Sequence, residues 1–161
     1  MKKLLVVLAL LVAAYNLPAY EVLFLGDTHY DDATVRVEVD ANNADFKRNT
    51  ACWQSAIPEL LRRAGKRAAT GVDFVVQLGD LTQGDCGSRE LQEQSFSNAL
   101  KKIKQHLAVP LYVVKGNHDI RGSGAEAAFK AVMIPYMNDT LGQKEAVAGS
   151  GHYAVVHKGD L

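Results

Sequence analysis

Excess charge of either sign is missing from this chain: Lys plus Arg and Asp plus Glu each number 18 over 161 residues. Without a basic field nothing is available to grip a polyanion, so no nucleic-acid-binding surface is expected. Charge runs, low-complexity tracts and internal repeats are absent too. With 48% hydrophobic and 22% charged residues, the composition is that of one modest soluble globular domain. Cysteine is scarce, and the two present, Cys52 and Cys86, form no CxxC pair or zinc-ribbon pattern, which argues against a cysteine-built zinc site. The one long apolar run, Leu4 to Ala14, falls short of the about 20 residues that cross a bilayer, so no stable membrane anchor is expected.

That run has a different use. Lys2 and Lys3 precede it and Leu17-Pro18-Ala19 follows it. A positive head, an apolar middle and small residues at the end are the three regions of a secretory signal cleaved after Ala19. No Cys follows the run, which argues against a lipid-modified N-terminus. Residues 1–19 are therefore expected to be a signal peptide and the product to be exported, periplasmic or secreted. Its removal takes out two Lys and no acid, leaving 18 less two, or 16, basic against 18 acidic residues. In an oxidising compartment Cys52 and Cys86, both expected on connections at one end of the sheet, are candidates for a disulfide; two free thiols are the alternative.

Four apolar runs have strand character: Val22 to Leu25, Val72 to Leu78, Leu111 to Val114 and Tyr153 to His157. The first and third are continuously apolar, as in strands covered on both faces. Trp53, Ala56, Ile57, Leu60, Leu61 and Ala64 recur at helical spacing, with Arg62, Arg63, Lys66 and Arg67 opposite and Gly71 as a stop. Phe96, Leu100, Ile103 and Leu107 form a second stripe, closed by Val109-Pro110. A weaker pattern runs from Ala125 to Met133. Val35, Val37 and Val39, alternating with charged residues before an Asn42-Asn43 turn, predict a short half-exposed strand. It is either surface decoration or a flap over the site.

Strand, helix, strand, helix, strand is the βαβαβ order of a parallel sheet, whose ligand site lies beyond the carboxyl ends of the strands. Three signatures fall there. Asp27-Thr28-His29 follows the first strand, and with both positions extended its carboxylate and imidazole share a side. Gly26 allows close backbone approach there. Gly79-Asp80 follows the second; an ionised carboxylate has two oxygens and can bridge two cations. Gly116-Asn117-His118-Asp119 follows the third, offering a neutral hard oxygen from Asn117, an acid or charge stabiliser in His118, and a carboxylate in Asp119 to orient it. Each alone is an ordinary turn; three in order on one rim point to a metal-dependent hydrolase.

From Val22 to Asp119, and more loosely to the chain end, the sequence resembles the calcineurin-like metallophosphoesterases, which carry D-x-H, G-D and G-N-H-D/E in this order. The resemblance implies an α/β fold, here the βαβαβ half of a metallophosphoesterase-type sandwich occupying residues 20–161. It implies two divalent ions (Mn, Fe or Zn). Asp27 and His29 would bind the first, Asp80 would bridge both, and Asn117 would bind the second. His118 over the substrate phosphate, with Asp119 behind it, would be the catalytic residues, and the partner a small phosphorylated substrate. The family's later Gly-His-x-His element has only Gly151-His152-Tyr153-Ala154 to match it, so His152 and His157 read as strand residues and His106 as a helix-end residue. Lys158-Gly159-Asp160 reads as a turn before a returning strand, hence a truncated chain. Its ligand count predicts at most one well-bound metal and weak or no turnover. A non-catalytic metal-binding relic, or another metallohydrolase such as an amidase, is the competing reading.

Overall fold

The computed structural model describes residues 20–37 and 43–140; the apolar leader, Val39, Asn42, and the expected strand at Tyr153–His157 with His152 lie outside the described residues. β1 (Val22–Leu25), β2 (Phe74–Gln77) and β3 (Leu111–Val113) form one parallel sheet in the order β1-β2-β3. Leu25 pairs with Gln77 and Gln77 with Val113, so the three strands end level. This is the expected α/β arrangement.

Helices fill the connections. α1 (Ala44–Gln54) and α2 (Ala56–Ala68) lie between β1 and β2, and α3 (Arg89–Lys104) between β2 and β3. α4 (Ala125–Pro135) follows β3 and runs into a π-helical turn, Tyr136–Thr140. The single stripe read from Trp53 to Ala64 is in fact two helices. Pro58 is the cause: its ring would clash with the carbonyl of Gln54 four residues back, and it has no N–H to donate. The chain therefore breaks at Ser55, and Pro58 falls in the first turn of α2, where a missing donor costs nothing. α3 opens on Ser88, whose side chain accepts from the Leu91 N–H, and its last turn carries Lys101, Lys102 and Lys104 against the helix dipole.

The helices share one core. Trp53 from α1, Leu61 and Ala64 from α2, Phe96, Ala99, Leu100 and Ile103 from α3, and Phe129 and Met133 from α4 cluster on Leu25, Val75, Leu111 and Val113. Those sheet residues belong to one face by strand alternation. Phe24, Leu78 and Val114, on the other parity, are about half exposed. Among the described residues no helix is long and apolar enough to cross a membrane.

Three expectations are corrected here. At Val35 a 3-10 turn, Ala33–Val35, stands where a strand was expected, because Asp32 accepts from the Thr34 N–H and caps it; the rest of that expected strand, from residue 38 on, lies outside the described residues. Cys52 lies on α1, not on a connection, and Cys86 is buried on the loop after β2; both are free thiols. Gly26 has no close neighbour, since a Cβ there would meet nothing within 4 Å.

Candidate metal centre

Beyond the level ends of the strands, the chain keeps pairing. Leu78 N–H donates to Leu25 O and Val114 N–H to Gln77 O, each at 2.9 Å. After a short opening the β1 and β2 loops zip together again. His29 N–H donates to Asp80 O at 2.9 Å, Tyr30 N–H to Leu81 O at 2.8 Å, and Gln83 N–H to Tyr30 O at 3.0 Å. Within this re-paired stretch His29 has φ 42° and Asp80 φ 51°. Like Asp85 at φ 53°, both occupy the left-handed region, uncommon for residues other than glycine, although Asp and His adopt it more readily than most. Each kink turns a polar side chain toward the rim.

The third loop joins through two glycines. A Cβ on Gly79 would lie 3.0 Å from Gly116 Cα, and a Cβ on Gly116 would lie 2.8 Å from Asp80 Cγ. The G-D and G-N-H-D turns therefore touch backbone to backbone, which is what these glycines permit. His118 N–H then donates to Asp80 Oδ1 at 2.8 Å. The His118 ring is held as well, with Nδ1 2.8 Å from the Gln83 carbonyl. A carbonyl can only accept, so Nδ1 carries the proton and Nε2 keeps the lone pair.

One ligating atom from each of His29, Asp80 and His118 lies within 4.8 Å of the others. The two imidazoles meet edge to face, ring centres 4.6 Å apart at 87°. His29 Nε2 stands 3.9 Å from Asp80 Oδ2, beyond hydrogen-bond reach. His29 Nδ1 is buried with no hydrogen-bond partner, a cost a folded chain normally avoids. An orphaned imidazole nitrogen, a second imidazole with a free lone pair and a carboxylate facing them are a donor set that fits a divalent cation of the Mn, Fe or Zn kind. Asp27 and Asn117 sit on the same rim, one past β1 and one past β3, with exposed side chains; Asp27 lies outside the three-residue cluster. His106 is exposed just past α3, away from these loops in sequence and element.

Asp119 has a different place from the expected one. It does not touch the His118 imidazole. Fully buried, its carboxylate accepts from Thr82 N–H at 3.0 Å and Gly116 N–H at 2.9 Å, and from the Leu81 backbone. It staples the second loop to the third. Burial raises its pKa against the lowering effect of those N–H groups, and the nearby charge of Asp80 adds to the rise.

Four residues support the site without a site role expected from sequence: Gln77, Asn49, Trp53 and Gln83. Gln77, fully buried, donates Nε2–H to Gly79 O at 2.6 Å and accepts from Gly79 N–H at 3.0 Å, fixing the turn before Asp80. Its signal was visible: a polar residue at a core-facing position of an apolar strand. Trp53 Nε1–H donates to Thr28 O at 2.8 Å, and Asn49 Nδ2–H to Gln83 Oε1 at 2.6 Å. Those contacts span 25 and 34 residues and leave no local pattern.

A family model described as calcineurin-like phosphoesterase matches residues 20–161. No curated protein and no solved structure matches the chain. The rim of three signatures, the donor set they gather and the match across nearly all of the sequence agree: the chain belongs to the calcineurin-like phosphoesterase family.

Proposed function

We propose that this protein is an exported phosphoesterase that hydrolyses a phosphomonoester, phosphodiester or nucleotide diphosphate bond at a dinuclear metal centre on the strand rim. The observation that carries the reading is the convergence of His29, Asp80 and His118 on one point, next to exposed Asp27 and Asn117. Asp27, His29, Asp80 and Asn117 would hold the ions. Such ions supply Lewis-acid polarisation of a phosphoryl oxygen and a water ionisable near neutral pH.

The chain's own residues then have distinct work. Asp80 stands between the His29 and His118 loops, where its negative charge would offset the mutual repulsion of two bound cations. Asn117 and the exposed carboxylate of Asp27 stand on the solvent side, where substrate enters. His118, its Nδ1–H committed to Gln83 O, has Nε2 left to meet the substrate; protonated there, it donates a hydrogen bond to a phosphoryl or leaving-group oxygen. Export rests on the sequence of residues 1–19, and a cell-fractionation experiment with and without that segment tests it.

The decisive test compares two substitutions by metal analysis and by turnover of model mono- and diesters with Mn²⁺, Zn²⁺ or Fe²⁺. Asp80→Ala is expected to lose bound metal and all turnover. His118→Ala is expected to keep metal, held by Asp27, His29, Asp80 and Asn117, and to lose turnover by about 10²–10⁴-fold, the range of a general acid; loss of its metal would instead make His118 a ligand, as its place in the cluster allows. Stoichiometric metal with no hydrolysis of any ester by the wild type would leave a metal-binding relic in place of an enzyme. Amide hydrolysis in preference to ester hydrolysis would move it to another reaction class.

A further inference from the structure

Helix α1 touches the His29 loop and the Asp80–Gln83 loop through one face. Asn49 and Trp53 are four residues apart, hence one above the other on the helix, and both are buried. Trp53 Nε1–H holds the carbonyl of Thr28, the residue between Asp27 and His29, at 2.8 Å. Asn49 Nδ2–H holds the side chain of Gln83 at 2.6 Å. Gln83 is itself 5% exposed, and its backbone is clamped by donation from its N–H to Tyr30 O at 3.0 Å. Its carbonyl is the group that receives His118 Nδ1–H at 2.8 Å.

We propose that Asn49 is a positioning residue for His118: by fixing Gln83 from α1, it aims the Gln83 carbonyl at Nδ1 and so selects the ring orientation and tautomer that keep Nε2 free for the site. The inference rests on the proposed role of His118 for its functional meaning, but not for its test. Asp119, adjacent to His118 in sequence, cannot perform this task, because its carboxylate is committed to the Thr82 and Gly116 N–H groups. The acceptor for Nδ1–H therefore comes from elsewhere in the chain: it is the Gln83 carbonyl, and Asn49 is hydrogen-bonded to the side chain of that residue. Trp53 makes the same helix the reference for the His29 turn, so α1 sets the two imidazoles relative to each other.

The experiment is ¹⁵N NMR of the histidine rings in the metal-free protein, paired with thermal unfolding. In the wild type, His118 is expected as the Nδ1–H tautomer; an Nε2–H ring would overturn the inference. Asn49→Leu, similar in volume but without the donor, is expected to shift the Nδ1–H to Nε2–H ratio by about tenfold and to lower turnover of a model diester similarly, the usual scale for loss of an outer supporting bond. Gln83→Glu keeps an acceptor for Asn49 and is expected to retain the wild-type tautomer, whereas Gln83→Leu is not. If Asn49→Leu does not fold, the two Gln83 variants decide between these outcomes. An unchanged tautomer in Asn49→Leu or Gln83→Leu refutes the positioning role. A wild type with the Nδ1–H ring but no hydrolysis would sink the proposed function and leave this inference standing; an active enzyme with an Nε2–H ring would do the reverse.

Discussion

Adding one methyl group at Gly116 should disable the site while leaving the fold in place. Gly116 is not among the glycines with positive φ, so alanine meets no backbone penalty there and the effect is purely steric. The new Cβ would stand 2.8 Å from Asp80 Cγ, and closer still to the Oδ1 and backbone N of that residue. Carbon atoms in contact rest about 3.5–4.0 Å apart, so the Asp80 turn must retreat by about 1 Å. The retreat overpacks a rigid backbone contact, at about 1–3 kcal/mol. It also stretches the His118 N–H bond to Asp80 Oδ1, now 2.8 Å, and a bond to a charged acceptor contributes about 1.5–3 kcal/mol. Because the turn can relax partly, about 3 kcal/mol in total is expected, or a fall of about 6–12 °C in Tm for a domain of this size. Metal affinity should drop by at least the about 10–100-fold seen when a supporting partner is lost, since here the ligand itself moves. Urea denaturation and calorimetric titration with Mn²⁺ measure the two effects. Gly26→Ala is the matched control: it is next to Asp27, lacks a positive φ, and its Cβ meets nothing within 4 Å, so its stability should stay within about 0.5 kcal/mol of wild type. Equal stability and equal metal affinity in the two variants would refute the steric coupling of Gly116 to Asp80.

Removing the staple carboxylate in Asp119→Ala strands the buried N–H groups of Thr82 and Gly116, at about 1–3 kcal/mol each. Urea midpoints should show a loss of about 3 kcal/mol with little change in far-UV circular dichroism, and a loss below 1 kcal/mol would deny the staple. Stability should also fall in alkali. Burial pushes the Cys86 thiol up to about 12 from 9.0, and burial, then the Asp32 charge, pushes Tyr30 up to about 12 from 10.0. The unfolded chain therefore sheds these protons first, so this stabilisation is intact below pH 9 and is lost progressively between pH 9 and 12. At about 1.4 kcal/mol per pH unit, Cys86 alone contributes at most on the order of 4 kcal/mol. Cys86→Ala should flatten the decline in urea midpoint between pH 9 and 11, and a wild-type midpoint that does not move across that range would contradict the assignment.

What the sequence revealed of the fold is what depends on local pattern. The three apolar runs before Asp27, Gly79 and Lys115 became level parallel strands, because continuous apolar residues between helical stripes admit little else. The rim followed from that topology alone. Pattern failed where a single residue outweighed periodicity: Pro58 split a stripe that is otherwise continuous, and Asp32 turned a strand-like alternation into a capped 3-10 turn. The helix α1 escaped notice because its buried residues are Phe46, Asn49 and Trp53, two of them polar or bearing a polar group, with an uneven apolar face. At the site, the positions of His29, Asp80 and His118 were readable as motifs, while the partner that orients His118 was not. A backbone carbonyl 35 residues away carries no sequence signature, and the adjacent Asp119 invited the wrong assignment.

The two left-handed residues explain why the motif positions are where they are. From the last strand pair, Leu25 with Gln77, to the bridge between Tyr30 and Thr82, each chain advances by the same amount, 30 less 25 and 82 less 77, five residues. Two loops of equal length can open and re-pair without losing register. Within them His29 and Asp80 each leave the extended region, a departure that costs on the order of 1–3 kcal/mol per residue and persists only when its surroundings impose it. Here the imposition comes from the pairing itself: the His29 N–H to Asp80 O bond joins the two strained residues to each other. Neither kink can relax without breaking the bond that defines the other. The placement of the His29 and Asp80 backbones is thereby tied to sheet register, which is strongly specified where one face of a sheet is buried. The His29 and Asp80 turns of the cluster are thus held apart by backbone pairing, while His118 is held by its ring bond to the Gln83 carbonyl. Ligands preorganised in this way lose little conformational freedom when an ion arrives.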